Sequence, residues 1–449
     1  MNKNILFYTS ALFLLLPGLA FAGDFVCRLV DQTSGEGDMV VAAARNDGVN
    51  RLYVSGGWCL YEYTWQDSVW HKDTVESVFA KVPTCLASGN GRNDGLLRLY
   101  GGVWGRDLNE YSYEGGVWNT ASIDSVRYVG RSVAVGDIKN DDTMRVVAGG
   151  IDGVTMSYTY QSSGNTWRAE TLGVNTDEIA GITIGKGRND DTNRVYSGGW
   201  STKFYEYWYR NNVWYNYFIT NGVYNSVVGK GRNDDTNRLY GVGLAEDTWT
   251  LDHWQYNALD TNDNSFAGNA VLMDGRNDSK NRLYVAARGL GGPIDTISYE
   301  VFVLEKTYDS LNGWTRKEMR AVIYEPYTFM WDITAGKARN DTINRIYARV
   351  YDSDLFEFTW EDTINGVGQG DIKEVNDIKV RKVLNVGPNP FYSFTSIANM
   401  PNNAEIKIYD ITGRLVEKSK DKNIGHNLKS GIYFIMAKGY KPGKIIKIK

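Results

Sequence analysis

Short runs in which apolar and polar residues alternate make up most of this chain. In the first such block, Val40 to Ala44 is small-sided, Arg51-Leu52-Tyr53-Val54 alternates, Leu60 to Trp65 alternates again, and Val69-Trp70-His71 begins a fourth run. A period of two sustained over four to eight residues predicts β-strands. Asn46-Asp47-Gly48 and Gly56-Gly57 separate the runs with residues suited to tight turns. One block therefore reads as four strands joined by hairpins.

The block recurs. Arg45-Asn46-Asp47 is followed six residues after its first member by Arg51, and the same phrase returns at Arg92 with Arg98, Lys139 with Arg145, Arg188 with Arg194, Arg232 with Arg238, Arg276 with Arg282 and Arg339 with Arg345. Successive copies start 47, 47, 49, 44, 44 and 63 residues apart, near the roughly 40 to 50 residues of one four-stranded propeller blade. The expected fold is all-β, a seven-bladed β-propeller. Trp70, Trp118, Trp167, Trp214, Trp254 and Trp314 recur on the fourth strand, where a large ring can fill the gap that widens towards the rim. The seventh copy lacks a fourth strand and its Trp, while the apolar segment Phe25 to Val30 stands unassigned before the first copy. It is expected to supply the missing strand, so that the ring closes without an open sheet edge. An insertion in copy six, Gly289 to Thr296, reads as a longer surface loop.

The two ends carry addresses. Lys3, the apolar run Ile5 to Leu16 and Ala20-Phe21-Ala22 form a signal peptide cleaved after Ala22. Its apolar core is too short to span a bilayer and no later segment qualifies, so no stable transmembrane segment is expected after cleavage. The predicted organisation is 1–22 signal peptide, 23–364 propeller, 365–383 linker and 384–449 a small β-sandwich. Within that last part stand Pro388-Asn389-Pro390, then Ile408-Tyr409-Asp410-Ile411-Thr412-Gly413-Arg414-Leu415-Val416, then Leu428-Lys429-Ser430-Gly431-Ile432-Tyr433-Phe434. Ile406 and Ile408 are expected to face Ile432 and Phe434 across its core. These motifs resemble the C-terminal sorting domain of the bacterial type IX secretion system. The resemblance implies recognition by that machinery, passage across the outer membrane, removal of the tail, and release or surface attachment.

Composition narrows the function classes. A net charge of −4 with both signs interspersed offers no basic field for nucleic acid. Cys27, Cys59 and Cys85 stand at no metal-binding spacing, and their pairing is open. His71, His253 and His426 lie far apart, no G-x-S-x-G elbow occurs, and no metal or cofactor is expected. A non-catalytic role follows, with a hydrolase kept as the distant alternative if two carboxylates meet at the channel mouth.

The repeated Asp residues, Asp47, Asp94, Asp141, Asp190, Asp234, Asp278 and Asp341, resemble the calcium loops of integrin-like propellers with basic residues substituted. Each is more simply a partner for its two flanking cations, sealing the turn. A second pattern places an acid about twelve residues beyond the second Arg: Arg51 with Glu62 and Trp65, Arg98 with Glu110 and Tyr113, Arg194 with Glu206 and Tyr209, Arg345 with Glu357 and Trp360. Copies three, five and six offer Ser157, Thr248 or Asp247, and a displaced Glu300. At these residues the repeats are similar to fucose-binding lectin propellers, a six-bladed family. That similarity implies glycan or polysaccharide binding at copies one, two, four and seven. The alternatives are Arg–Glu pairs serving as inter-blade glue, in a protein-interaction or structural surface component.

Overall fold

The computed structural model describes residues 23–32, 37–56, 58–103, 107–176, 178–199, 203–221, 223, 225–241, 245–259, 266–288, 301–321, 330–350, 354–361, 386–387, 391–397, 405–410, 414–437 and 443–448. The signal peptide, the linker, the insertion of copy six, Pro388-Asn389-Pro390 and Thr412-Gly413 fall outside them.

Seven four-stranded antiparallel sheets follow one another in chain order. The first is Met39–Ala42, Arg51–Gly56, Cys59–Gln66 and Val69–Glu76, from the axis outwards. The seventh consists of Met330–Gly336, Arg345–Val350 and Asp354–Glu361, with Asp24–Gln32 as its outer strand. Phe25 pairs with Trp360 there, the same register in which Trp70 pairs with Trp65. The N-terminal segment therefore brings the rim aromatic that the seventh copy lacks, and Phe25 lies edge-on to Tyr284 of the sixth blade at 6.1 Å.

Neighbouring blades are held by a repeated aromatic contact. Fully buried second-strand tyrosines stand edge-on to the outer-strand Trp of the next blade: Tyr53 to Trp118 at 5.7 Å, Tyr100 to Trp167 at 6.1 Å, Tyr196 to Trp254 at 6.0 Å, Tyr240 to Trp314 at 5.8 Å and Tyr347 to Trp70 at 6.0 Å. T-shaped pairs at this distance add to the area they bury. The third blade has Val147 in place of the Tyr, and Trp214 there donates its indole N–H to Glu170 at 3.0 Å instead.

The two ends of the ring differ. Eight residues link the inner to the second strand in every blade. At the opposite end, second-to-third connections run from two residues (Gly56 to Cys59) to twelve (Arg288 to Val301). One face is thus built to a constant pattern, and the other carries the variation.

The C-terminal part has a four-stranded sheet in the order Leu415–Ser419, Ile406–Asp410, Gly431–Ala437, Gly443–Lys447, and a three-stranded sheet of Val386–Gly387, Thr395–Ile397 and Asn423–Ile424. Phe391, Ile397, Ile406, Ile408, Ile424, Tyr433, Ile435 and Ile445 form its core. The expectation that Ile432 and Phe434 point inward is corrected, since they are 40% and 41% exposed while Tyr433 and Ile435 are buried. Both faces of Gly431–Ala437 are apolar, so alternation alone does not choose between them. Pairing does: Ile408 stands opposite Ile435, and directly opposed residues share a face.

Candidate functional site

Each residue of the repeated phrase has one task, which recurs from blade to blade with one change, at the first cation of the third copy. The second Arg closes a two-pronged ion pair on the motif Asp four residues before it. Nη1 and Nη2 of Arg51 reach Oδ1 and Oδ2 of Asp47 at 2.8 and 2.7 Å, and Arg98–Asp94, Arg145–Asp141, Arg194–Asp190, Arg238–Asp234, Arg282–Asp278 and Arg345–Asp341 repeat it. The guanidinium beside each holds the carboxyls of Asp47, Asp141 and Asp278 down at about 2. The fork expected of the turn is present, with one of the two flanking cations rather than both.

In six of the seven copies the first cation turns to the third strand. Arg45 Nε donates to Glu62 at 2.9 Å, Arg92 to Glu110 at 3.0 Å, Arg232 to Glu246, Arg276 to Glu305 and Arg339 to Glu357 at 2.8 to 2.9 Å, and Arg188 grips Glu206 with two nitrogens. The other side of each cation lies over an aromatic ring of the following blade: Arg45 over Tyr113, Arg92 over Tyr160, Lys139 over Tyr209, Arg188 over Trp249, Arg232 over Tyr308, Arg276 over Trp360 and Arg339 over Trp65, at 3.6 to 4.6 Å. Asn46, Asn93, Asn140, Asn189, Asn233, Asn277 and Asn340 all adopt positive φ, and each amide reaches across to the next blade. Asn46 Nδ2 donates to the Leu97 carbonyl at 2.9 Å while its Oδ1 accepts from Leu97 N at 2.7 Å. The reciprocal pair between Asn340 and Asn50 joins the seventh blade to the first.

This geometry revises how the ligand residues expected from the sequence are joined. Arg51, Arg98, Arg194 and Arg345 place their forks on Asp, and only Nε approaches the Glu, at 3.5, 3.8, 3.0 and 3.8 Å. Glu62, Glu110, Glu206 and Glu357 are at most 1% exposed. Trp65, Tyr113, Tyr209 and Trp360 cover cations of the preceding blade. The acid is also more widespread than the spacing of twelve indicated. Glu246 holds the place in copy five rather than Asp247 or Thr248, and Glu305 in copy six rather than Glu300, which lies outside the described residues. In copy three Ser157 stands where the Glu would be, and Glu170, directly opposite it on the outer strand, binds Lys139 at 2.7 Å. Connections of unequal length displaced these acids in sequence without moving them in space.

A second polar set, missed in the sequence, lies where the inner strands begin, at the end with the variable connections. Asn225 donates to Asn269, Asn269 donates to Asp332 Oδ1 at 2.5 Å, and Met39 N donates to Asp332 Oδ2 at 2.5 Å, so side chains of blades five, six and seven and the backbone of blade one run in a chain. Asp38 adjoins it and accepts from Leu86 N at 3.3 Å. Arg131 and Glu178 pair at 3.4 Å in blades three and four. Burial raises the Asp38 carboxyl well above its usual range, and the neighbouring Asp332 adds to the effect. Burial raises Asp332 to about 6. Asp38 and Asp332 are the two carboxylates a hydrolase would require, but both oxygens of Asp332 are already occupied by donors. Counting back from each motif to the start of its inner strand is the signal that would have found them.

On connections at the same end, Trp58 and Phe79 are 66% and 60% exposed with ring centroids 4.8 Å apart. Val126 and Tyr128 are exposed on the connection into the third blade. Cys27, Cys59 and Cys85 are free thiols.

Residues 385–448 match the model of the secretion system C-terminal sorting domain. No curated protein matches the chain. Among solved structures, BBS1N in complex with ARL6DN, from a crystal soaked with lead, is similar at 15% identity and a TM-score of 0.50, covering 76% of this chain and 97% of that one. YCF48 from Cyanidioschyzon merolae is similar at 11% identity and a TM-score of 0.47, covering 74% and 98%. At such identities the likeness concerns fold alone. The chain is a seven-bladed β-propeller that carries a C-terminal sorting domain for secretion.

Proposed function

We propose that the exported ring is a non-catalytic binding module, secreted or held at the cell surface, that takes carbohydrate on the face bearing the variable connections. The observation that carries this reading is the exposed aromatic pair Trp58 and Phe79 on connections at that end of the ring. Exposed aromatic rings of this kind stack on the apolar face of a sugar. The Arg, Glu and aromatic sets of the repeat then serve as inter-blade structure, because each Glu is buried against a guanidinium and each ring covers a cation of the preceding blade. Weak contacts gain by avidity on a polysaccharide.

A glycan array or polysaccharide pull-down with the mature ring tests the proposal. Trp58→Ala with Phe79→Ala is expected to abolish retention without moving the unfolding midpoint. A blank array with the wild-type ring would refute carbohydrate binding and leave a protein partner as the reading. The neighbouring carboxylates Asp38 and Asp332 support a second, hydrolytic reading only if glycan cleavage is detected and Asp38→Asn removes it.

A further inference from the structure

The strand Gly431–Ala437 leaves an apolar surface uncovered. On the outer face of the four-stranded tail sheet, Leu415, Tyr409 and Phe434 stand abreast on three adjacent strands, since Tyr409 is registered against both Leu415 and Phe434. Ile432 and Ile446 pair next to them, and Met436 pairs with Lys407, which in turn faces Lys418. Leu415, Ile432, Phe434 and Met436 are 40 to 44% exposed. The other face of this sheet is already covered by the core residues shared with the three-stranded sheet. An uncovered apolar sheet face of this kind marks an interaction surface.

Charge gives the occupant its chemistry. Residues 384–449 contain 11 Lys and Arg against 4 Asp and Glu, whereas the whole chain has a net charge of −4. The apolar strip is therefore bordered by lysines on a domain that is strongly basic within an otherwise acidic chain. The domain matches a sorting signal, and a receptor reads a signal through the side chains it exposes. We propose that this strip is the surface by which the export machinery holds the tail, and that the partner offers an apolar cleft edged with carboxylates. Burial of the aromatic and aliphatic centre supplies affinity, and the lysine border supplies orientation and rate of encounter.

The inference is independent of what the ring binds, and export is the readout. The full chain is produced in a bacterium with a type IX system, and protein at the surface and in the medium is compared with protein retained in the periplasm. Ile432→Ser, Phe434→Ser and Met436→Ser together are expected to lower export about tenfold or more, as loss of a central apolar cluster does at interfaces. Protease resistance of the tail should stay at the wild-type level, because none of the three side chains is in the core. Wild-type export of this variant would overturn the proposal. Should the triple variant lose its fold, Lys407→Glu with Lys418→Glu decides instead, with reduced export expected and unchanged export overturning it. If the purified wild-type chain sediments as a dimer that the triple variant dissociates, the strip is a self-association surface and the proposal also fails.

Discussion

At the residue scale, the repeated phrase is a set of buried charges that are stable only together. Glu206 accepts from Arg188 and from the Trp254 indole at 3.3 Å, and Arg194 Nε lies at 3.0 Å. Glu206→Gln leaves the Arg188 guanidinium without its counter-charge, while Arg194 keeps Asp190, and is expected to destabilise the ring by about 3 kcal/mol, read as a shifted denaturant midpoint. The carboxyls give two opposed pH limbs. Asp47, Asp141 and Asp278 titrate at about 2 in the fold against an ordinary 3.8, so their contribution is full above about pH 4 and is lost as pH falls towards 2. Asp332 titrates at about 6, so what its protonated form contributes is full below about pH 4 and is lost as pH rises through 6. Unfolding midpoints measured from pH 2 to 8 should decline at both ends. Asp332→Asn should flatten only the upper limb.

At the scale of elements, the strand Asp24–Gln32 closes the ring. Phe25 touches Trp360 at 5.1 Å and Tyr284 at 6.1 Å, taking the place a Trp holds in the other blades. Phe25→Ala is expected to cost about 2 kcal/mol, less than a wholly buried Phe because the ring is half-buried. Deleting residues 24–32 should do more, exposing the edge of Asp354–Glu361 and favouring association between copies, which sedimentation would detect. The closing strand was legible in sequence because one copy was short by a strand and one apolar segment was left over. The facing of Gly431–Ala437 was not, because both of its faces carry apolar residues.

For the whole molecule, the two faces of the ring follow from different constraints. The inner-to-second turns must meet their neighbours through the Asn amides and the Arg stacks, which fixes their length at eight residues in every blade. The opposite connections differ in length, so that end is free to specialise. Shortening Arg288 to Val301 to the two-residue length of the first blade should therefore leave the unfolding midpoint within about 0.5 kcal/mol of wild type, whereas one added residue in any eight-residue turn should break a latch and cost more.

The sequence by itself determined the number of blades, the closing strand, the Asp–Arg forks and the sorting tail, because each is a local pattern or an exact repeat. Only the tertiary structure decided which cation holds which Glu, and that Trp65, Tyr113, Tyr209 and Trp360 cover the cation of the blade before. It alone brought Asp38 beside Asp332. The cation–aromatic and Asp38–Asp332 contacts join residues from different blades, and within a blade connections of unequal length hide the spacing between the first cation and its Glu. Linear distance along the chain fixes a contact only when the loop between is constant, and in this ring it is constant at one face alone.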